Sequence, residues 1–225
     1  IQVMTMLPVE RYFRLLQEIN VPIRVRAIRL PMTSAQSRDL MEGRDLPLHP
    51  TEKPTITVRG TKWIPDGSPF EWGAALRGTY RDRPDCAGWL RFSQSEITCM
   101  VNESLQWDDQ LLYHSCGDRP VELLFDAMEQ IQDMNWPGKR VRIEHGNGIF
   151  GNLIARASRL GVVVVQTPLL LSFVALMGKR FGPDTPFFQV RTLREAGIPM
   201  AIGSDNRFNP YINIGILSQH PIHPA

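Results

Sequence analysis

The feature that most constrains the fold of this sequence is an alternation, repeated along its length, between short β-branched apolar runs and amphipathic stretches of helical period. Ile1 to Leu7 is apolar and extended. Pro8 then opens a pattern in which Val9, Tyr12, Phe13, Leu15, Leu16 and Ile19 recur at three-to-four spacing, and proline suits a first helical turn. Ile23 to Leu30 interleaves apolar residues with arginines, which predicts a strand with one polar face. Ser34 to Gly43 is expected to be a helix closed by its glycine, and Thr55 to Ile64 the next strand. Pro65 to Leu90, rich in Gly, Pro and Asp, is a long excursion. Ser93, with Glu96 three residues on, forms a capping box for a helix that runs to Gln106. Leu111 to Tyr113 is a short strand ending at His114, and Asp118 is expected to cap a helix from Pro120 to Met134. Val141 to His145 is a strand, and Asn152 to Leu160 a helix stopped by Gly161. Val162 to Gln166 is apolar in the manner of strands buried in parallel sheets. Phe187 to Ala196 reads as a helix and Pro199 to Gly203 as the last strand.

Strands separated by helices of this length pair in parallel through right-handed crossovers, which makes the fold class α/β. The seven strands fit either an open doubly wound sheet or a barrel lacking one unit. A complete (β/α)8 barrel takes about 250 residues, and this chain has 225.

Composition narrows the functional classes. With 43% apolar and 21% charged residues the chain is an ordinary globular one, neither collagen-like nor disordered. A net charge of +2, with its arginines scattered, gives no general pull toward nucleic acid or an anionic membrane. No apolar run reaches the roughly 18 residues of a membrane span; the longest, Gly161 to Met177, is interrupted by Gln166, Thr167, Pro168 and Ser172. No signal peptide is visible. Cys86, Cys99 and Cys116 are an odd count without a CxxC, which argues against a disulfide framework or a four-cysteine zinc site and for a reducing, cytoplasmic compartment. The chain starts at Ile1 inside an apolar run and ends without a stop signal of its own. The expectation is therefore a portion of a longer protein, one partial domain over residues 1–225.

Four strands end in or beside ionisable groups: Lys62 and Asp66 after the third, His114 after the fourth, Glu144 and His145 on the fifth, Asp205 after the seventh. In parallel α/β folds ligands bind at the carboxyl ends of the strands. One Lys, two His and one Asp, far apart in sequence, would thus converge on one mouth, and His with Asp suits zinc and similar metals. A single histidine at a strand end is more often a hydrogen-bonded structural residue; two on consecutive strands, with an Asp two strands on, shift the balance. Glu144 alternates to the opposite side from His145 and reads as a salt-bridged scaffold residue. Asp118 and Arg119 read as braces of the following helix. His49, His220 and His223 are bystanders. Cys116 is close to His114, but no base and orienting partner support a thiol nucleophile.

Taken together and in order, these segments resemble the amidohydrolase superfamily of metal-dependent hydrolases, most closely amidohydrolase family 3 with its N-substituted formamide deformylase-like members. The resemblance rests on Lys62-Trp-Ile-Pro-Asp-Gly67 with Ala74, Ala75 and Tyr80, on His114-Ser-Cys-Gly-Asp118 with Asp126 to Glu129, on Arg142-Ile-Glu-His145, on Gly161-Val162 with Gln166 and Pro168, and on Ala196-Gly197 with Gly203-Ser-Asp205. It implies a distorted TIM (β/α)8 barrel, here incomplete: strands two to eight, with strand one and the flanking β-sandwich absent. It also implies one or two divalent metal ions, zinc foremost. By this resemblance His114 and His145 would be metal ligands, and Lys62 the lysine that is carboxylated into a bridging carbamate. Asp205 would be a metal ligand and the general base for metal-activated water in hydrolysis of amide or other C–N bonds. The family's strand-one His-x-His pair has no counterpart in this sequence.

The resemblance implies a small-molecule substrate, with neither nucleic acid nor membrane as a partner, and leaves room for a homo-oligomer. Two other readings stand beside it. One is a catalytically inactive chain that binds at most one metal or a partner. The other is a glycosidase-type barrel with Glu144 and Asp205 as its two carboxylates. Ser115-Cys116, after His114, and Asn206-Arg207, after Asp205, could touch substrate and reshape specificity, with Arg207 either meeting an anionic substrate group or lying on the surface. Trp63, Phe70 and Trp72 either line an apolar pocket or pack the excursion.

Overall fold

The computed structural model describes residues 1–4, 7–19, 22–31, 55–182, 188–205 and 209–219. The helix expected over Ser34 to Gly43 lies outside the described residues, as do His49, Asn206, Arg207, His220 and His223. The chain divides into two compact units, Ile1–Trp63 with Asn102–Leu112, and Ile64–Val101 with Tyr113–Ala225.

The first unit opens with β1 (Gln2–Met4), α1 (Val9–Glu18), β2 (Val25–Arg29) and β3 (Ile56–Trp63). β1 pairs in parallel with β2, in the register Gln2 to Arg26, and β2 pairs in parallel with β3. The helix is the crossover that parallel pairing needs. Its buried stripe is Val9, Phe13 and Leu16, one residue per turn. These pack on Val25, Ala27, Ile56 and Val58, the residues of β2 and β3 that alternate onto the same side. The predicted polar face of β2 is more buried than its arginines suggest. Arg29 is 4% exposed and ion-paired with Asp109. The Asp109 carboxylate also accepts from the Gly60 amide at 2.7 Å and the Thr61 hydroxyl at 2.9 Å. A buried charge is tolerable only when paired and hydrogen-bonded in this way.

Two elements cross the boundary between the units: α2 (Gln94–Gln106) and β4 (Leu111–Ser115). The capping box at the start of α2 is formed. The Glu96 carboxylate accepts from both the amide and the hydroxyl of Ser93, each at 2.8 Å, and the Ser93 hydroxyl accepts from the Glu96 amide at 3.4 Å.

The second unit continues with α3 (Asp118–Glu129), α4 (Trp136–Lys139), β5 (Arg142–His145), α5 (Asn152–Leu160) and β6 (Val163–Gln166). A 3-10 turn (Pro168–Phe173) then leads to α6 (Val174–Phe181), α7 (Val190–Glu195), β7 (Met200–Ile202) and α8 (Pro210–Gln219). β5, β6 and β7 pair in parallel, with Glu144 opposite Val165 and Gln166 opposite Ile202. Strand order follows sequence order from β1 to β7. That order has no reversal, so the doubly wound alternative, whose order reverses at a switch point, does not apply, and the barrel topology does.

The structure differs from expectation in its helices. Asp118 lies inside α3 and does not cap it: its carboxylate takes the Arg77 amide at 2.9 Å and Arg77 Nε at 2.7 Å. The charge-assisted pair outcompetes the local capping bond. α3 stops at Glu129, short of Met134. The run Gly161 to Met177, which shows no helical period, contains the 3-10 turn begun by Pro168 and the start of α6, and α8 was not expected at all. α8 carries no charged residue, so nothing marks a polar side. Trp72 and Phe70 pack the excursion. The Arg180 guanidinium lies 3.7 Å from the Trp72 ring centre and donates to the carbonyls of Pro69 and Phe70, and Phe70 meets Phe173 edge-on at 4.8 Å. Trp63 is buried in the first unit.

Gly161 ends α5 in a left-handed conformation, φ 62°, and a Cβ there would stand 2.7 Å from the ring of Pro137 on α4. Gly161→Ala is expected to lose about 2–5 kcal/mol in urea unfolding. The left-handed backbone accounts for about 1–2 of that and overpacking for about 1–3.

Candidate metal centre

Two imidazoles meet at the carboxyl ends of neighbouring parallel strands. His114 is the penultimate residue of β4 and His145 the last of β5. Their ring centres are 4.7 Å apart, edge to face at 73°. His145 has a left-handed backbone, φ 66°, and Gly146 follows at 62°. The Gly146 amide donates to the carbonyl of Ser115 at 3.0 Å, which ties the end of β5 to the end of β4. The Thr167 hydroxyl lies 3.3 Å from His145 Nδ1. Cys116 lies in the turn directly after β4, two residues beyond His114. Donor atoms of His114, Cys116 and His145 all lie within 4.8 Å of one another.

The support beneath this cluster is Asp66, fully buried after β3. Its carboxylate accepts from the amides of Gly117 at 2.8 Å, Ala75 at 3.1 Å and Cys116 at 3.3 Å. Oδ1 is 3.5 Å from His114 Nε2, a contact of ion-pair range rather than a well-formed hydrogen bond. Burial pushes the Asp66 carboxyl up to about 7, against the pull of the three amides. Backbones here approach as closely as glycine allows: a Cβ on Gly117 would fall 1.8 Å from the Ala75 carbonyl oxygen, and one on Gly148 2.1 Å from that of Gly117. Cys116 and Asn147 also form part of the wall of a cavity of about 260 Å³, with Leu76, Thr79, Phe150 and Phe181.

Other residues singled out in the sequence stand as follows. Asp205 is exposed in the turn after β7, its backbone also left-handed at φ 52°. Lys62 is half-buried on β3 in the first unit. Glu144 is ion-paired with Arg142 on its own strand, as a scaffold residue would be; that pairing leaves the two-carboxylate glycosidase reading without support. The sequence pattern assigns Asp66 no role, and Cys116 only that of a residue after the strand-end histidine that could touch substrate. A strand followed by Pro-Asp-Gly, and a cysteine two residues beyond a strand-end histidine, are the signals that mark them. None of the three cysteines forms a disulfide. Among the described residues no helix is long and apolar enough to cross a membrane.

The chain belongs to the amidohydrolase family, whose sequence profile matches residues 7–217. No curated protein sequence matches it. Among solved structures it is similar to an uncharacterized metal-dependent hydrolase from Pyrococcus furiosus, with TM-score 0.76 and 22% identity over 92% of this chain and 43% of that one. A second, from Pyrococcus horikoshii OT3, gives TM-score 0.76 and 20% identity over 92% of this chain and 41% of that one. A Xaa-Pro dipeptidase with methionine bound in its active site is more distant, with TM-score 0.50 and 15% identity over 92% of this chain and 54% of that one. At these identities the likeness speaks for the fold, an incomplete TIM-like (β/α) barrel of seven parallel strands. The chain spans about two fifths of the length of the two Pyrococcus proteins.

Asp66→Ala strands three backbone N–H groups and is expected to destabilise the protein by at least about 3 kcal/mol in urea unfolding. Asp66→Asn should lose less, because an amide oxygen in the Oδ2 position still accepts from Gly117 and Ala75.

Proposed function

We propose that this chain carries the metal-binding part of a metal-dependent hydrolase acting on amide or other carbon–nitrogen bonds. The observation that carries the reading is the meeting of His114 and His145, edge to face at 4.7 Å on neighbouring strand ends, in a chain of the amidohydrolase family. The donors fit a divalent ion of zinc type, for which imidazole nitrogen is a preferred ligand. His114 and His145 would hold it. Asp66 beside His114 and Thr167 beside His145 would fix the two rings, as partners of metal-bound imidazoles commonly do. When bound, such an ion lowers the pKa of water and polarises a carbonyl.

The remaining work falls to the chain's own groups. Asp205, after β7, takes the proton of the attacking water and returns it to the leaving amine. The cavity of about 260 Å³ admits a small substrate. Leu76, Phe150 and Phe181 exclude water from it, and Thr79 and Asn147 offer hydrogen bonds for orientation.

A second reading, a chain that binds metal without turning over substrate, is favoured by the absence of a His-x-His pair from the sequence. Elemental analysis separates these readings from the failure of both. About one zinc per chain is expected, lost in the His114→Ala, His145→Ala double variant. A chain that takes up no metal sinks the proposal. Asp205→Asn should keep its metal and lower hydrolysis of amides and formamides by about 10²–10⁴-fold. Metal uptake without turnover on such a panel selects the second reading.

A further inference from the structure

We infer that Cys116 is itself a ligand of this ion, bound as a thiolate between His114 and His145. The inference rests on the metal reading above and adds the identity of the third donor, which in turn decides which metals the site takes.

Four observations support it. The first is distance. Donor atoms around a tetrahedral zinc ion, with bonds of about 2.3 Å to sulfur and about 2.0–2.1 Å to nitrogen, stand roughly 3.3–3.6 Å apart. The three donors here lie within 4.8 Å of one another, so side-chain rotations closing them by at most about 1.5 Å complete three corners of the tetrahedron.

The second is fixation. The Cys116 amide is bonded to Asp66, and the next residue, Gly117, is both bonded to Asp66 and pressed against the Ala75 backbone. The thiol is therefore carried on a segment that has no room to swing away from the imidazoles. Preorganisation of this kind is what a ligand set requires.

The third is burial. Cys116 is 4% exposed and packs with Ala74 and Tyr80. Water therefore competes poorly with a metal for its sulfur.

The fourth is access. Cys116 also faces the cavity of about 260 Å³. Two imidazoles and one thiolate leave one corner of a tetrahedron for water or substrate, and Cys116 is the member of the set that reaches the cavity wall. Three protein ligands with an open fourth position is the arrangement of catalytic rather than structural zinc.

Binding releases one proton: the thiol and the divalent ion give a metal thiolate and H⁺, so the centre carries one positive charge less than a site built from neutral imidazoles alone. Sulfur also makes the site selective. Thiolate favours zinc and cobalt(II) over magnesium, calcium and manganese, which take oxygen ligands.

The test uses the full chain loaded with zinc and, separately, with cobalt(II). X-ray absorption at the zinc edge should show one sulfur at about 2.3 Å beside nitrogen scatterers, and the cobalt form should show a thiolate-to-cobalt charge-transfer band in the near ultraviolet. Cys116→Ser should lose the sulfur shell and the band. It should also weaken zinc binding by more than the roughly 10–100-fold that loss of an outer-sphere partner costs. Should Cys116→Ser fail to fold, the Cys86→Ser, Cys99→Ser double variant answers the question, because a sulfur shell that survives in it comes from Cys116. Zinc bound through nitrogen and oxygen alone, or a sulfur shell that persists in Cys116→Ser, overturns the inference and leaves the metal reading standing. Failure to bind either metal overturns both.

Discussion

A carboxylate with no access to water organises the second unit. Asp66 holds the amides of Ala75, Cys116 and Gly117; the first bond closes the excursion after β3 on itself and the other two join it to the turn after β4. Few groups other than an acceptor with two oxygens could serve three converging donors at once. Burial of the charge is costly, which is why the carboxyl stands near 7 in spite of its bonds. A cation at the histidine pair would offset that cost by favouring the ionised form. The scaffold and the site therefore draw on the same group. The path of Cys116 and Gly117, between β4 and α3, follows directly from what Asp66 will accept.

The first unit solves a similar problem differently. Asp109 receives Arg29, Thr61 and Gly60, so its buried charge is neutralised by a partner inside the protein. Around it the packing is ordinary: one helical stripe on the inward residues of two parallel strands. The contrast is instructive. A carboxylate paired with arginine serves as a brace, whereas one met mainly by backbone amides and an imidazole remains responsive to any cation that approaches.

Much of this fold was legible in the sequence, because the signals concerned are local. The stripe of Val9, Phe13 and Leu16, the capping box of Ser93 and Glu96, and the stop at Gly161 each depend on residues within a few positions of one another. Parallel pairing followed from the alternation itself, whereas the strand order did not, since a doubly wound sheet fits the same alternation. What was not legible depends on partners distant in sequence. Asp118 looks like a cap until Arg77, 41 residues away, claims its carboxylate. α8 and the 3-10 turn after Thr167 lack a polar side, so no period marks them. In the site, His114 and His145 could be picked out because the strand-end rule needs only the strands. Asp66 and Cys116 could not, since a Pro-Asp-Gly turn and a buried cysteine each have a commoner explanation. Only the convergence of Asp66 on Cys116 and His114 distinguishes them.

His145 occupies a backbone conformation that glycine or asparagine would adopt at less cost. Relief of about 1–2 kcal/mol is therefore within reach of a single substitution at the residue that faces His114. A laboratory screen for heat-resistant variants would therefore reach proteins that fold better and have lost an imidazole, so that gain in stability and loss of the histidine pair would arrive in one step.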